Sequence, residues 1–292
     1  MMNSLTVVIP AFNEEESLRD FFPEVIRHCE KENYDLIIVN DGSSDETLSL
    51  LQNFKRESSF DFEIVHHKVN RGYGGALKSG IETSCTEFVI TIDADGQHYL
   101  EDIDKLYGKM KESDADLIVG SRKGQLSASV FRGIGKRIIR LVAKMLMKLS
   151  IYDINSGMKM YNTELVKQYL KLTPDTMSFS DIITLTFVNN RHLVIEEPIR
   201  IKERIKGTST IGVRTAFETV MEIINIIILF NPARIFLPIS VVFLLSGLSW
   251  GTYIFLQGRG VSVGASTMVL TGLIIFLLGL IAEQLSAVRK NQ

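Results

Sequence analysis

Charge is missing from two long stretches of this chain, residues 235–256 and 260–282, and acid is missing from a third, residues 117–152. Cysteine is nearly absent. The two present, Cys29 and Cys85, have neither the spacing of a metal knuckle nor the company of a disulfide framework, and both read as buried thiols in a reducing compartment. The net charge is only −2, which excludes bulk electrostatic capture of nucleic acid. Residues 1–6 lack the basic start and following apolar stretch of a secretory signal, so none is expected. What is there is a core-forming composition, 46% hydrophobic and 23% charged over 292 residues, enough for one large or two ordinary domains.

Each charge-free run is long enough to cross a bilayer, which requires about 20 predominantly apolar residues. The connection Gln257-Gly258-Arg259-Gly260 is short, so the two form a hairpin with both ends on one side. Arg234, Arg289 and Lys290 flank that side against Arg259 alone in the turn, which puts the ends and everything before them in the cytoplasm. Neither run carries a charge inside it. Anchoring is therefore a simpler role for the hairpin than ion or proton conduction.

Ahead of the hairpin, strand and helix patterns alternate in the manner of an open parallel sheet. Strands are expected over residues 5–10, 35–40, 62–65, 88–92 and 116–120, with helices over 14–31, about 75–83 and 103–110. Ligands of such sheets bind at the carboxyl ends of the strands. There the sequence gathers polar and acidic residues: Pro10-Ala11-Phe12-Asn13-Glu14 after the first strand, Asn40-Asp41-Gly42-Ser43-Ser44-Asp45 after the second, Asp93-Ala94-Asp95-Gly96-Gln97 after the fourth. Carboxylates two apart at a strand end can reach one hard cation together with phosphate oxygens. Helix capping by Asn13, Ser44 or Asp45 is the plainer alternative. The turn Asn70-Arg71-Gly72-Tyr73-Gly74-Gly75 either offers amides to a phosphate or only turns tightly.

Taken in order, the segments Val8 to Glu15, Ile38 to Asp45, Asn70 to Gly80 and Asp93 to Gln97 resemble the family 2 glycosyltransferases, in the branch of dolichyl-phosphate mannose synthase and the bacterial polyprenyl-phosphate sugar synthases. The resemblance implies an α/β protein, a GT-A Rossmann-like mixed sheet flanked by helices, followed by interfacial amphipathic helices and a two-helix transmembrane hairpin. It divides the chain into a catalytic domain at 1–212, a juxtamembrane amphipathic helix at 213–231 and the hairpin at 232–292, with spans at about 235–256 and 262–284.

It also implies roles. Pro10, Ala11, Asn13, Glu14, Asp41, Lys78, Asp93, Ala94 and Asp95 would hold a nucleoside diphosphate sugar, and Arg122 would add a positive partner for its diphosphate. Asp93, Asp95 and Gln97 would serve Mg²⁺ or Mn²⁺. Asp181, in Phe179-Ser180-Asp181, stands where many members carry a general base. Arg204 and Ser209, in a segment like the family's Arg-x-x-Gly-x-Ser, would contact the acceptor phosphate or diphosphate, although Thr210 replaces an expected lysine.

The acid-free stretch carries Arg132, Lys136, Arg140, Lys144 and Lys148 at intervals of four, a cationic stripe on an apolar helix over 130–149 suited to a membrane surface, the alternative being a helix packed on the domain with a solvated basic face. Arg132 and Lys136 are then placed to receive an acceptor phosphate. With the hairpin, this makes membrane lipid a partner and a polyprenyl phosphate the natural acceptor. A phosphate monoester, with a second pKa of about 6, is already a nucleophile at neutral pH. Direct displacement inverts the anomeric centre, as the family does. The product would need a separate flippase and a downstream glycosyltransferase, and homo-oligomerisation stays open. The alternatives are a member acting on a lipid or polysaccharide hydroxyl, with Asp181 as an essential base, and a non-catalytic membrane-anchored scaffold.

Overall fold

The structure is a computed structural model that describes residues 4–122, 151–202 and 232–290. The basic stripe with Arg132 and Lys136, the segment with Arg204 and Ser209, and the helix expected over 213–231 all lie outside these residues. The chain forms two compact units, and the described part of the first holds residues 4–122 and 151–202.

Seven strands make one sheet in this unit: β1 Leu5–Ala11, β2 Asp35–Asn40, β3 Glu63–His66, β4 Phe88–Thr91, β5 Leu117–Ser121, β6 Lys159–Asn162 and β7 Val194–Pro198. Their order is β3-β2-β1-β4-β6-β5-β7. All seven residues of β1 are buried, because helices cover both faces of a parallel sheet. The parallel pairs are β1 with β2 and β4, β2 with β3, and β5 with β7. Only β6 runs antiparallel, inserted between β4 and β5. That reversal has a consequence for the site. Since β6 starts where its neighbours end, the residues just before it arrive at the same rim as the loops after β1, β2 and β4.

The helices are α1 Glu15–Glu32, α2 Thr47–Glu57, α3 Tyr73–Thr83, α4 Glu101–Ser113, α5 Thr163–Tyr169 and α6 Phe179–Asn189. Sequence reading gives α1 within a residue at each end, starts α3 two residues late, starts α4 two late and ends it three early, and does not single out α2. Phe21, Phe22, Val25, Ile103 and Leu106 of α1 and α4 pack with Leu5, Val7, Ile9 and Ile38 of the sheet in one apolar core.

The second unit contributes α7 Ala233–Leu256 and α8 Val263–Lys290, each long and apolar enough to cross a membrane. The left-handed Gly258 and Gly260, φ 69° and 76°, end the first helix and turn the chain. Small residues let the pair approach closely: a Cβ at Gly247 would come within 2.9 Å of Val269. Large apolar side chains such as Leu245, Leu256 and Leu270 are left exposed on the pair, as a lipid-facing surface requires.

Candidate active site

The loops after β1, β2 and β4, the glycine-rich turn before α3, Arg122 after β5 and the segment before β6 enclose a cavity of about 600 Å³. Of the residues expected to bind a nucleotide sugar, Pro10, Ala11, Glu14, Asp41, Asp93, Ala94, Asp95 and Arg122 line it. They come from four separate strand ends, those of β1, β2, β4 and β5, and the sheet is what assembles them.

Asp93 and Asp95 share this cavity, yet the protein treats them differently. Tyr73 donates its hydroxyl proton to Asp93 Oδ1 at 2.8 Å, and His98 Nε2 lies 3.5 Å from Oδ2. Burial alone would raise the Asp93 pKa, but the hydrogen bond and charge from His98, then Tyr73 and the charge of Arg122, win and lower it. Gly157 abuts the same carboxylate, and a Cβ there would overlap it. Asp95 accepts the Gln97 amide N–H through Oδ1 at 3.1 Å. Among the described residues no group of three His, Cys, Asp or Glu side chains forms a metal site. Two carboxylates on one cavity nonetheless fit a cation of the Mg²⁺ type, which takes one or two protein carboxylates and fills its shell with substrate phosphates and water.

Asp41 is buried, and both its oxygens accept from the protein. Oδ1 faces His67 Nδ1 at 2.6 Å and the Arg71 N–H at 2.8 Å, and Oδ2 takes the Gly72 N–H at 2.9 Å. It pins the glycine-rich turn to β2. The turn's amides follow suit: Gly75 N–H donates to the Asp175 carbonyl, and Gly72, at φ 88°, lies so close to that carbonyl that no side chain fits. The glycines serve a close backbone approach between segments. Of the two readings of this turn, the structural one describes these two amides.

Arg122 lines the cavity while its guanidinium forks onto Asp153, Nε to Oδ2 and Nη2 to Oδ1, both at 2.7 Å, with a further bond from Nη2 to the Asn155 carbonyl at 2.8 Å. The Asp153 carboxylate raises the Arg122 pKa further. Asp153 is itself held from behind, donating its N–H to Glu196 of β7 at 2.7 Å. Sequence reading did not find this acidic partner, since it lies 31 residues away and only the β5–β6 pairing brings it near.

Other expected residues sit outside the lining. Asn13, left-handed at φ 53°, accepts the Ser44 N–H at 2.8 Å and ties the β1 and β2 loops together. The capping alternative holds in a reciprocal form: Asp45 accepts the Glu15 N–H at the start of α1, and Glu15 accepts the Glu46 N–H at the start of α2. Lys78 turns to Asp175 at 2.7 Å and to the Thr173 carbonyl, because α3 presents it to the segment before α6. Gln97 offers its carbonyl to the Lys202 N–H at 2.8 Å, anchoring the acidic loop. Asp181, in the first turn of α6, is 3% exposed and is not among the lining residues.

One charged residue lies in a segment, Asn155 to Tyr161, that resembles the family's strand after the interfacial helix, yet the sequence assigns it no role of its own. Lys159, the first residue of β6, is 0% exposed. Burial pulls its pKa down to about 7, against Asp181 and Asp153, which favour the charged form. Its signal is faint, one lysine between two methionines in a strand-like run.

Residues 6–170 match the family model described as Glycosyl transferase family 2. The chain belongs to that family. It is a glycosyltransferase, and residues 231–288 match a second model, the GtrB C-terminal hairpin. Among curated relatives, the dodecaprenyl-phosphate galacturonate synthase of Rhizobium johnstonii is 24% identical, with 94% of this chain and 82% of that one covered. The undecaprenyl-phosphate 4-deoxy-4-formamido-L-arabinose transferase of Proteus mirabilis is 29% identical over 71% of this chain, which spans 63% of that relative. Among solved structures, glucosyl-3-phosphoglycerate synthase from Mycobacterium tuberculosis, in complex with Mn²⁺, UDP and phosphoglyceric acid, superposes with a TM-score of 0.58 at 16% identity, covering 78% of each chain. That likeness establishes the mixed-sheet fold shared by the catalytic unit.

Proposed function

We propose that this family 2 glycosyltransferase moves a sugar from a nucleoside diphosphate sugar to a polyprenyl phosphate, with inversion, at the cytoplasmic face of a membrane. The observation that carries the reading is one chain holding both a cavity at the sheet rim lined by Asp93, Asp95 and Arg122 and a hairpin of the GtrB type. Relatives named for undecaprenyl- and dodecaprenyl-phosphate products support the choice of acceptor.

In this reading the nucleotide lies along Pro10, Ala11, Glu14 and Asp41, with its diphosphate toward Asp93, Asp95 and Arg122. Asp95, with Asp93 beside it and Gln97 near, would hold Mg²⁺ or Mn²⁺. Such a cation offsets the charge gathering on the departing diphosphate more in the transition state than in the ground state. Asp93, braced by Tyr73 and His98, keeps the acidic loop in place while that charge develops. Arg122, held flat by Asp153, presents a fixed positive edge and needs no reorganisation during the reaction. Arg132, Lys136, Arg204 and Ser209 are assigned to the acceptor phosphate, whose dianion attacks the anomeric carbon directly. A product formed on the cytoplasmic side requires a flippase and a second transferase beyond the bilayer.

The full-length chain in detergent, given polyprenyl phosphate and a panel of nucleotide sugars with Mn²⁺, Mg²⁺ or EDTA, is expected to make one lipid-linked sugar phosphate of inverted anomeric configuration. Retention of configuration, or full activity in EDTA, would sink the corresponding part of the assignment.

A further inference from the structure

Lys159 is the one lysine among the described residues that is fully buried, and its position is singular. It stands at the rim end of β6, paired with Thr91 of β4 on one side and Val119 of β5 on the other. Its amino group donates to the Ile154 carbonyl at 2.7 Å and to the Ser180 carbonyl. These carbonyls belong to two different walls: Ile154 leads into Asn155 and Gly157, while Ser180 lies in the first turn of α6, and Asn155, Gly157 and Ser180 all line the cavity. Burying a charge this deeply costs several kcal/mol unless other groups offset it. Asp181 follows directly on Ser180, whose carbonyl takes one of these bonds, and is itself buried in the same first turn of α6; its charge and that of Asp153 favour the ammonium form, while Arg122 opposes them.

The wall that Lys159 holds reaches the reacting centre through Gly157. Any shift of the Ile154 to Gly157 segment toward β4 drives its backbone into the Asp93 carboxylate, which already leaves no room for a Cβ. The position of the acidic pair therefore depends on how firmly that segment is tied back.

We propose that Lys159 is a positioning residue for glycosyl transfer, a buried clamp that joins the Ile154–Gly157 loop to the first turn of α6 and takes Asp181 as its charge partner. The proposal rests on the placement of the donor at Asp93 and Asp95. It also gives Asp181 a role other than general base. Wherever the shared proton sits, lysine and aspartate together are neutral, so removing either one strands the other while removing both does not.

The test is a double-mutant cycle of Lys159→Met and Asp181→Asn in the full-length chain, measured on whichever acceptor the wild-type chain uses. Turnover, donor dissociation constant and thermal midpoint are read for all four proteins. Each single variant is expected to lose about tenfold or more in kcat while donor affinity stays within about threefold, because the nucleoside contacts along Pro10, Ala11, Glu14 and Asp41 are untouched and the shift of the acidic pair acts on the transferring bond. The double variant is expected to be no worse than the poorer single one. Wild-type kcat in Lys159→Met overturns the proposal, and so do losses that multiply in the double variant, as they would if Asp181 were an independent base. If Lys159→Met does not fold, the neutral double variant carries the test: a folded protein with low kcat and intact donor binding supports the clamp, while full kcat or failure to fold overturns it. A wild-type chain that uses some acceptor other than polyprenyl phosphate refutes the acceptor assignment and leaves this comparison readable.

Discussion

The hydroxyl of Tyr73 donates to Asp93 Oδ1 at 2.8 Å, so the first residue of α3 and the acidic loop after β4 are joined by one bond inside the cavity. A hydrogen bond to a charged group contributes roughly 1.5–3 kcal/mol, and this one fixes a carboxylate at the proposed place of the diphosphate. Tyr73→Phe is expected to lower kcat by about tenfold with an unchanged circular dichroism spectrum. Steady-state kinetics on the variant decides it, and wild-type turnover would show that the bond does not position Asp93.

Asp95 lines the same cavity as Asp93, two residues further along the loop, and its Oδ1 accepts the Gln97 backbone N–H. In the proposed reading it contacts the cation. Asp95→Asn is expected to reduce metal-stimulated transfer by about 10² and to raise the Mn²⁺ concentration needed for half-maximal rate. A metal titration of the variant matching the wild type would remove Asp95 from the cation site.

The fork between Arg122 and Asp153 demands a planar guanidinium. Lysine keeps the charge but cannot make two parallel bonds. Arg122→Lys is expected to behave nearly as badly as Arg122→Ala, each losing about tenfold or more in kcat/KM. A lysine variant close to wild type would mean that charge alone matters at this position.

The two thiols are expected to part company under alkylation. Cys85 is exposed, which corrects the sequence reading that both thiols are buried, because it falls in the turn between α3 and β4; Cys29 is buried and its pKa is pushed up to about 12, first by burial and then by Asp104 and Asp35. At pH 7.5 a maleimide should label one site in the native protein and two after denaturation, counted by mass spectrometry. Rapid native labelling of Cys29 would contradict the packing of α1 on the sheet.

Much of this architecture is legible in the sequence because its cause is local. Unbroken apolar runs announce β1, β2 and β4, and a run without charge announces α7. The acidic pair is legible too, as carboxylates at a strand end. What escapes is everything made by chain reversal and long-range pairing. Asp153 meets Arg122 and Lys159 meets Ser180 because β6 runs antiparallel between β4 and β5, and no spacing along the chain encodes that insertion. Lys78 and Asn13 show the same limit. Their residue types suit a phosphate or a sugar, but the fold brings them to distant partners, Asp175 and Ser44.

The acceptor is the centre of the account, and one competition assays it. The purified full-length chain receives its preferred nucleotide sugar with equimolar polyprenyl phosphate and polyprenol of the same chain length, and the lipid products are resolved by mass spectrometry. Sugar linked through phosphate, with no detectable sugar on the free alcohol, is the predicted result. Transfer to the polyprenol hydroxyl, or no lipid-linked sugar from any donor, would contradict it.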